Sequence, residues 1–278
     1  MAHRTSGDRP WTFWPLAAFF CLFVAFLYGP TVTIAILSFQ GPSGGLTFPM
    51  NGASLHWFRD LFEDQAVGDI WGAFRRSFAL GALVMALTVI VSLMAGLAFR
   101  KRFRGAGLVF YLAVASLIVP SILVSLGVGI LFDVADLDVH WSTSGLGAQL
   151  TWTLPFGLLI MFAVFNRFDP AYEEAARDLG ASPWQTLRHV VLPIIAPSLL
   201  GVALFGFTLS YDEFARTLLT AGSDNTLPLE IYGMTTNVTT PVLYALGTLT
   251  TAFSFAVIGL AAFGLRRAAR RRAADSTA

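Results

Sequence analysis

The chain has 278 residues, 55% of them hydrophobic and 13% charged, with a mean hydropathy of +0.67 and a net charge of +1. A soluble domain carries about 25% charged residues, so half that fraction, with the apolar residues in long runs, excludes an ordinary soluble fold and indicates an integral membrane protein. A net charge so near zero also excludes a global electrostatic footprint for nucleic acid.

A helix that crosses a bilayer needs about 20 mainly apolar residues. Six stretches qualify: 11–39, 77–99, 107–132, 145–165, 194–214 and 243–265. The first follows Arg4 and Arg9 and contains the single cysteine, Cys21, which can form no internal disulfide. A signal-peptide core is only about 7–15 residues long and ends in a small-residue cleavage site. This run is longer and lacks a clear site, so an uncleaved first span is expected. The outer segment after it holds Gly41-Pro-Ser43-Gly-Gly45, a formal Gly-x-Ser-x-Gly match. A serine nucleophile there needs a strand-to-helix elbow and a histidine partner. The Gly/Pro-rich context and the absence of histidine from the later spans set hydrolysis aside. His3, His56, His140 and His189 are far apart and show no metal-ligand spacing.

Proline and glycine punctuate the spans at Pro30, Pro120, Gly127, Gly129, Pro155, Gly157 and Gly206. Close helix packing accounts for them, because small residues let membrane helices approach and neighbours satisfy backbone groups that proline frees. Hinges at Pro120 and Pro155 are the alternative.

The arginines and the one lysine set the orientation. With the N-terminus inside, the inner segments hold Arg4, Arg9, Arg100, Lys101, Arg102, Arg104, Arg167, Arg177, Arg188, Arg266, Arg267, Arg270, Arg271 and Arg272. The outer segments hold only Arg59, Arg75, Arg76 and Arg216. Both termini are therefore expected in the cytoplasm. Most acids fall outside: Asp60, Glu63, Asp64, Asp69, Asp133, Asp136, Asp138, Asp212, Glu213, Asp224 and Glu230. Ordinary solvated loops explain them; an entrance that concentrates cations is the functional alternative.

The segment between the fourth and fifth spans is too long and too polar to be a turn. Asp169 is placed to cap a helix with Pro170 at its first position. Glu173 and Glu174 favour the positive end of that helix, and Gly180 ends it in a left-handed cap. Ser182 caps a second helix, with Pro183 at its first position, that runs by Trp184, Leu187 and Val191 into the membrane. A flat Ala175-Ala176 patch beside an acid suits insertion into a partner's groove. An ordinary amphipathic loop helix fits the same residues, and on them alone both readings stay open.

The spacing decides more. Glu174-Ala175-Ala176, then Gly180, then Val190-Val191-Leu192-Pro193 resembles the EAA loop of type I ABC importer permeases, with Val190 in place of the family's isoleucine as the only departure. The resemblance implies an all-α polytopic fold of six transmembrane helices with both ends cytoplasmic. It also implies an ATPase-coupling role for Glu173, Glu174, Ala175, Ala176, Asp178, Gly180, Leu192 and Pro193. Downstream, Leu209-Ser-Tyr-Asp-Glu-Phe214 and Thr226-Leu-Pro-Leu-Glu-Ile-Tyr232 look like the corresponding stretches of spermidine/putrescine permeases of the PotC type, and the likeness covers residues 75–265.

From Pro197, fifteen residues of helix reach Asp212, about 22 Å at the helical rise. Intramembrane acids usually face a cavity or a partner. One reading makes Tyr211, Asp212, Glu213 and Tyr232 a path for an ammonium-bearing substrate, since a carboxylate with an aromatic face is a natural cation site. The other has the acids brace the next loop against Arg216.

The only lysine, Lys101, precedes Arg102, so no P-loop is present. The family implies that a separate ABC ATPase subunit binds ATP and magnesium, and that this chain holds no cofactor and is no enzyme. It also implies a second, different permease subunit and an extracytoplasmic solute-binding protein, with a small-molecule substrate and lipid as the remaining contacts. The expected organisation is a cytoplasmic tail over 1–10, a permease domain over 11–265 with its coupling loop at 167–193, and a basic cytoplasmic tail over 266–278. A stand-alone secondary transporter or channel is the competing class, and ATP dependence separates the two.

Overall fold

The structure, a computed structural model, describes residues 11–63, 68–101, 103–237 and 240–275. Arg4, Arg9, Asp64, Arg102 and the expected N-terminal tail lie outside the described residues. The chain divides into two compact units, Met1–Ala66 with Val238–Phe253 and Val67–Asn237 with Ser254–Ala278.

In the first unit, α1 (Phe13–Leu37) is 25 residues long, about 37 Å at the helical rise, and its almost wholly exposed apolar surface suits lipid. Just past its end the fully buried Gln40 organises the following loop. Its amide donates to the Gly45 and Thr47 carbonyls (3.1 and 3.5 Å) and accepts from the Asn51 amide (2.7 Å). Gly44 must lack a side chain, because a Cβ there would run into Gln40. Ser43 thus lies in a turn wrapped on an amide, with neither a strand before it nor a helix after it. The elbow that a serine nucleophile needs is not formed. α2 (His56–Glu63) follows, with His56 3.2 Å from Asp60. The first turns of α11 (Val242–Asp275) belong to this unit, and the Tyr244 hydroxyl donates to the Leu46 carbonyl at 2.9 Å.

The second unit is built on α3 (Ile70–Phe99), α6 (Leu146–Arg167) and α9 (Leu192–Tyr211), which pack on one another. Small residues make the close approach possible. Gly157 on α6 sits against Ser92 and Thr88, and Gly206 on α9 sits against Met85 and Thr88. Thr88 donates to Thr153 at 3.0 Å inside this junction. Toward one end the interface turns apolar around Met161, Val191, Ile195 and Val202. In lipid, close packing and polar contacts of this kind, rather than hydrophobic burial, hold helices together.

Among the described residues, five helices are long and apolar enough to cross a membrane: Phe13–Leu37, Ile70–Phe99, Trp141–Arg167, Pro183–Tyr211 and Val242–Gly264. These match five of the six expected spans, with the second and fifth beginning earlier than the hydropathy suggests. The third differs. Residues 107–132 form two short helices, α4 (Ala106–Ala115) and α5 (Ser121–Val134), separated at Ser116–Pro120. Proline has no N–H to continue the ladder and disfavours helical backbone in the residue before it. Ser116 steadies the break, its hydroxyl within hydrogen-bond reach of the Ala113 and Thr151 carbonyls, at 2.7 and 2.6 Å, with one proton to give to either. The span that ends at Tyr211 starts with α8 (Pro183–Thr186) and passes through a widened π turn, Leu187–Val191, just before Pro193. The wider turn accommodates a ring that would crowd the carbonyl four residues back.

Candidate functional site

The loop from Arg167 to Pro193 folds as its local code directs. The Asp169 carboxylate accepts from the Ala171 amide at 2.9 Å and starts α7 (Ala171–Asp178). Gly180, with φ +82°, ends it. The Gly180 amide donates to the Arg177 carbonyl (2.8 Å) and the Ala181 amide to the Ala176 carbonyl (3.0 Å). These are the two bonds of a Schellman cap. A reciprocal capping box then opens α8: Ser182 Oγ accepts from the Gln185 amide at 3.3 Å, and Gln185 Oε1 accepts from the Ser182 amide at 2.8 Å. Five backbone groups at the ends of α7 and the start of α8 are thus satisfied by residues of the same loop.

The adjacent acids Glu173 and Glu174 of α7 face different ways. Glu173 is the buried residue of this helix. Arg100, at the end of α3, donates to it with both arms of its guanidinium, Nη1 to Oε1 at 2.7 Å and Nη2 to Oε2 at 2.9 Å. Arg177 adds a contact at 3.5 Å. The Arg100 bonds hold the Glu173 carboxyl below its ordinary value, against a burial that would raise it. Glu174, Ala175, Asp178 and Gly180 are exposed and Ala176 is half-exposed. Tyr172 and Leu179 extend this open surface, Leu179 at 88% exposure. Leu192 and Pro193 begin α9, beside the buried Val191. Sequence reasoning grouped Glu173 with Glu174 and counted Arg100 only as an inner charge. The signal for their different roles was the helical period, which turns adjacent residues about 100° apart.

At the opposite end of α9 the loop over residues 212–226 is irregular and buries Arg216, Thr217, Thr220, Ala221 and Thr226. Its backbone is held by side chains of surrounding helices. Ser125 accepts from the Leu219 amide (2.9 Å), Ser77 accepts from the Leu227 amide (2.8 Å), and Arg76 donates to the Asn225 carbonyl (2.7 Å). Ser144 donates to the Thr220 carbonyl at 2.8 Å. Arg216 is 2% exposed; its Nη1 donates to Thr151 at 2.6 Å and its guanidinium lies 5.1 Å from the Trp152 ring centre. Glu213 accepts from the Arg216 amide at 3.0 Å.

The four residues considered for a substrate path occupy different surroundings. Tyr211 is buried, stacked on Phe207 and edge-on to Phe74. Asp212 is exposed at the end of α9. Tyr232, on α10 (Leu227–Asn237), is 52% exposed with its ring 4.9 Å from that of Phe214. Glu213 is tied to the loop backbone. Among the described residues no group of three or more His, Cys, Asp or Glu could hold a metal ion.

Comparison with known proteins agrees with this architecture. The chain is 31% identical over 246 residues to the spermidine/putrescine transport system permease protein PotC of Haemophilus influenzae, covering 87% of this chain and 93% of that one. It is 27% identical over 259 residues to the putrescine transport system permease protein PotI of Escherichia coli, covering 90% of each. Among solved structures, a bacterial ABC transporter that imports the acidic polysaccharide alginate superposes with a TM-score of 0.70 at 14% identity, covering 93% of this chain and 95% of that one. The MetNI methionine ABC transporter superposes at 0.53 with 15% identity, covering 72% and 94%. At such identities the structural likeness speaks for the fold. Residues 70–275 match the family model described as binding-protein-dependent transport system inner membrane component. The chain belongs to this family of multi-pass inner-membrane transport proteins.

Proposed function

We propose that this chain is one transmembrane half of an ATP-driven polyamine importer. The observation that carries the reading is the open face of α7, where Glu174, Ala175 and Leu179 stand clear of the chain's own core on a helix capped at both ends. Small side chains beside an acid suit a groove that offers a basic residue. The partner is an ABC ATPase subunit, which carries ATP and magnesium, while this chain performs no bond chemistry. A second, different permease subunit completes the pathway and an extracytoplasmic solute-binding protein delivers the cargo. Closure of the ATPase pair moves α7, the spans open outward, and hydrolysis resets them by alternating access.

A polyamine cargo, spermidine- or putrescine-like, is supported by the names of the relatives and by the acids of the expected outer segments. In this reading Asp212 and the exposed ring of Tyr232 meet the ammonium groups, while Glu213 and Tyr211 position them. The test is uptake of labelled spermidine and putrescine into vesicles that hold the whole complex. Uptake should require ATP, and Glu174→Lys should abolish it with the chain still inserted in the membrane. Uptake by this chain alone on an ion gradient, or normal uptake by Glu174→Lys, would overturn the docking reading. Asp212→Asn transporting like the parent would remove Asp212 from the path.

A further inference from the structure

We infer that the Arg100–Glu173 pair is the strut that passes movement of the docking helix to α3. The inference rests on the docking role of α7 and assigns Arg100 as a positioning residue. α7 is joined covalently to α6 on one side and, through α8, to α9 on the other. These two helices and α3 make the packed core of their unit. Nothing covalent near α7 leads to α3, and Glu173 is the side chain that α7 buries. Its two bonds to Arg100 therefore supply the third connection.

The geometry suits a strut better than an incidental surface ion pair. A two-pronged guanidinium–carboxylate contact fixes orientation as well as distance. The Arg100 guanidinium is held in place by rings from the end of α6 and just beyond it, 5.1 Å from the Phe165 centre and 5.4 Å from that of Phe168. Arg100 is also only one residue past the end of α3. A push on α7 thus meets a short, aimed link with little slack. A cavity of about 330 Å³, bounded by Gly96, Phe162, Asn166 and Pro170 together with Arg100 itself, lies beside the pair.

The test uses the assembled complex in vesicles, with three readouts: ATPase subunit retained on purification, ATP hydrolysed, and substrate taken up per ATP. Arg100→Gln and Glu173→Gln should keep the ATPase subunit bound while uptake per ATP falls about ten-fold, within the range expected for cutting one coupling contact. Arg100→Lys should recover little, since an ammonium cannot make the forked contact. The exchange of both residues, Arg100→Glu with Glu173→Arg, should recover part of the loss. The inference is overturned if Arg100→Gln keeps uptake per ATP at the parent level. It is equally overturned if Arg100→Gln sheds the ATPase subunit, because the pair would then merely hold the docking surface in shape. Glu174→Lys separates the two layers. If it transports normally, the docking reading fails and this inference with it. If it is defective while Arg100→Gln is normal, only the strut fails.

Discussion

Replacing Arg216 tests what the loop that follows Tyr211 at the end of α9 is for. A cation 2% exposed has lost its water, a cost of several kcal/mol before any partner is found. Against that stand a charge-assisted hydrogen bond to Thr151, about 1.5–3 kcal/mol, and the face of Trp152, about 2 kcal/mol when desolvated. The two sides nearly cancel, so the charge itself adds little net stability. What remains is the volume of the side chain. Arg216→Met keeps most of that volume and should change stability by no more than about 1 kcal/mol. Arg216→Ala opens a cavity and should cost about 2–5 kcal/mol. The assay is thermal unfolding in detergent, with the two variants separated by roughly 5–15 °C for a cost of this size. Uptake by Arg216→Met adds a second readout, and a bracing arginine predicts that it persists. Equal damage from Met and Ala would refute the cancellation and make the charge essential.

Two further outcomes follow from the packing and the charges. Gly157→Ala places a methyl against Ser92 and Thr88, and should destabilise the α3–α6 junction by about 1–3 kcal/mol; Gly201→Ala, where a Cβ meets nothing within 4 Å, is the matched control in the same unfolding assay. Glu173 has a folded value lowered from 4.5 by Arg100, so the unfolded chain binds the extra proton as pH falls. Its contribution is complete at neutral pH, erodes below 4.5 and disappears once pH passes its lowered folded value. Glu173→Gln should therefore be less stable than the parent at pH 7, and the gap should narrow in acid melts.

The loop over residues 167–193 was legible because its information is local. Asp169, Gly180, Ser182 and Pro183 each act on backbone groups within a few residues, and the structure gives each its turn or cap. The spans were legible for a similar reason, since a bilayer imposes length and apolarity on one stretch at a time. The third span shows the limit of that reasoning. Hydropathy averages over residues 107–132 and passes through Pro120, while the helix breaks there because a missing N–H is a property of one residue.

The rest was illegible because it depends on bonds between distant residues. Leu227 finds Ser77 across 150 positions and Asn225 finds Arg76 across 149. In sequence, Ser77, Ser125 and Ser144 are merely small polar residues in or beside apolar runs, indistinguishable from packing positions. Their role follows only when an irregular loop lies against them, because backbone groups shielded from water must be paired. Glu173 and Arg100 pose the same difficulty with charges. A helical period could have shown that Glu173 and Glu174 point different ways, but not which of them meets the core. That choice is made where α3 ends: Arg100 stands within reach of one face of α7, and the acid on that face is buried by the contact. The other acid is left outside, and with it the part of the loop that a partner can reach.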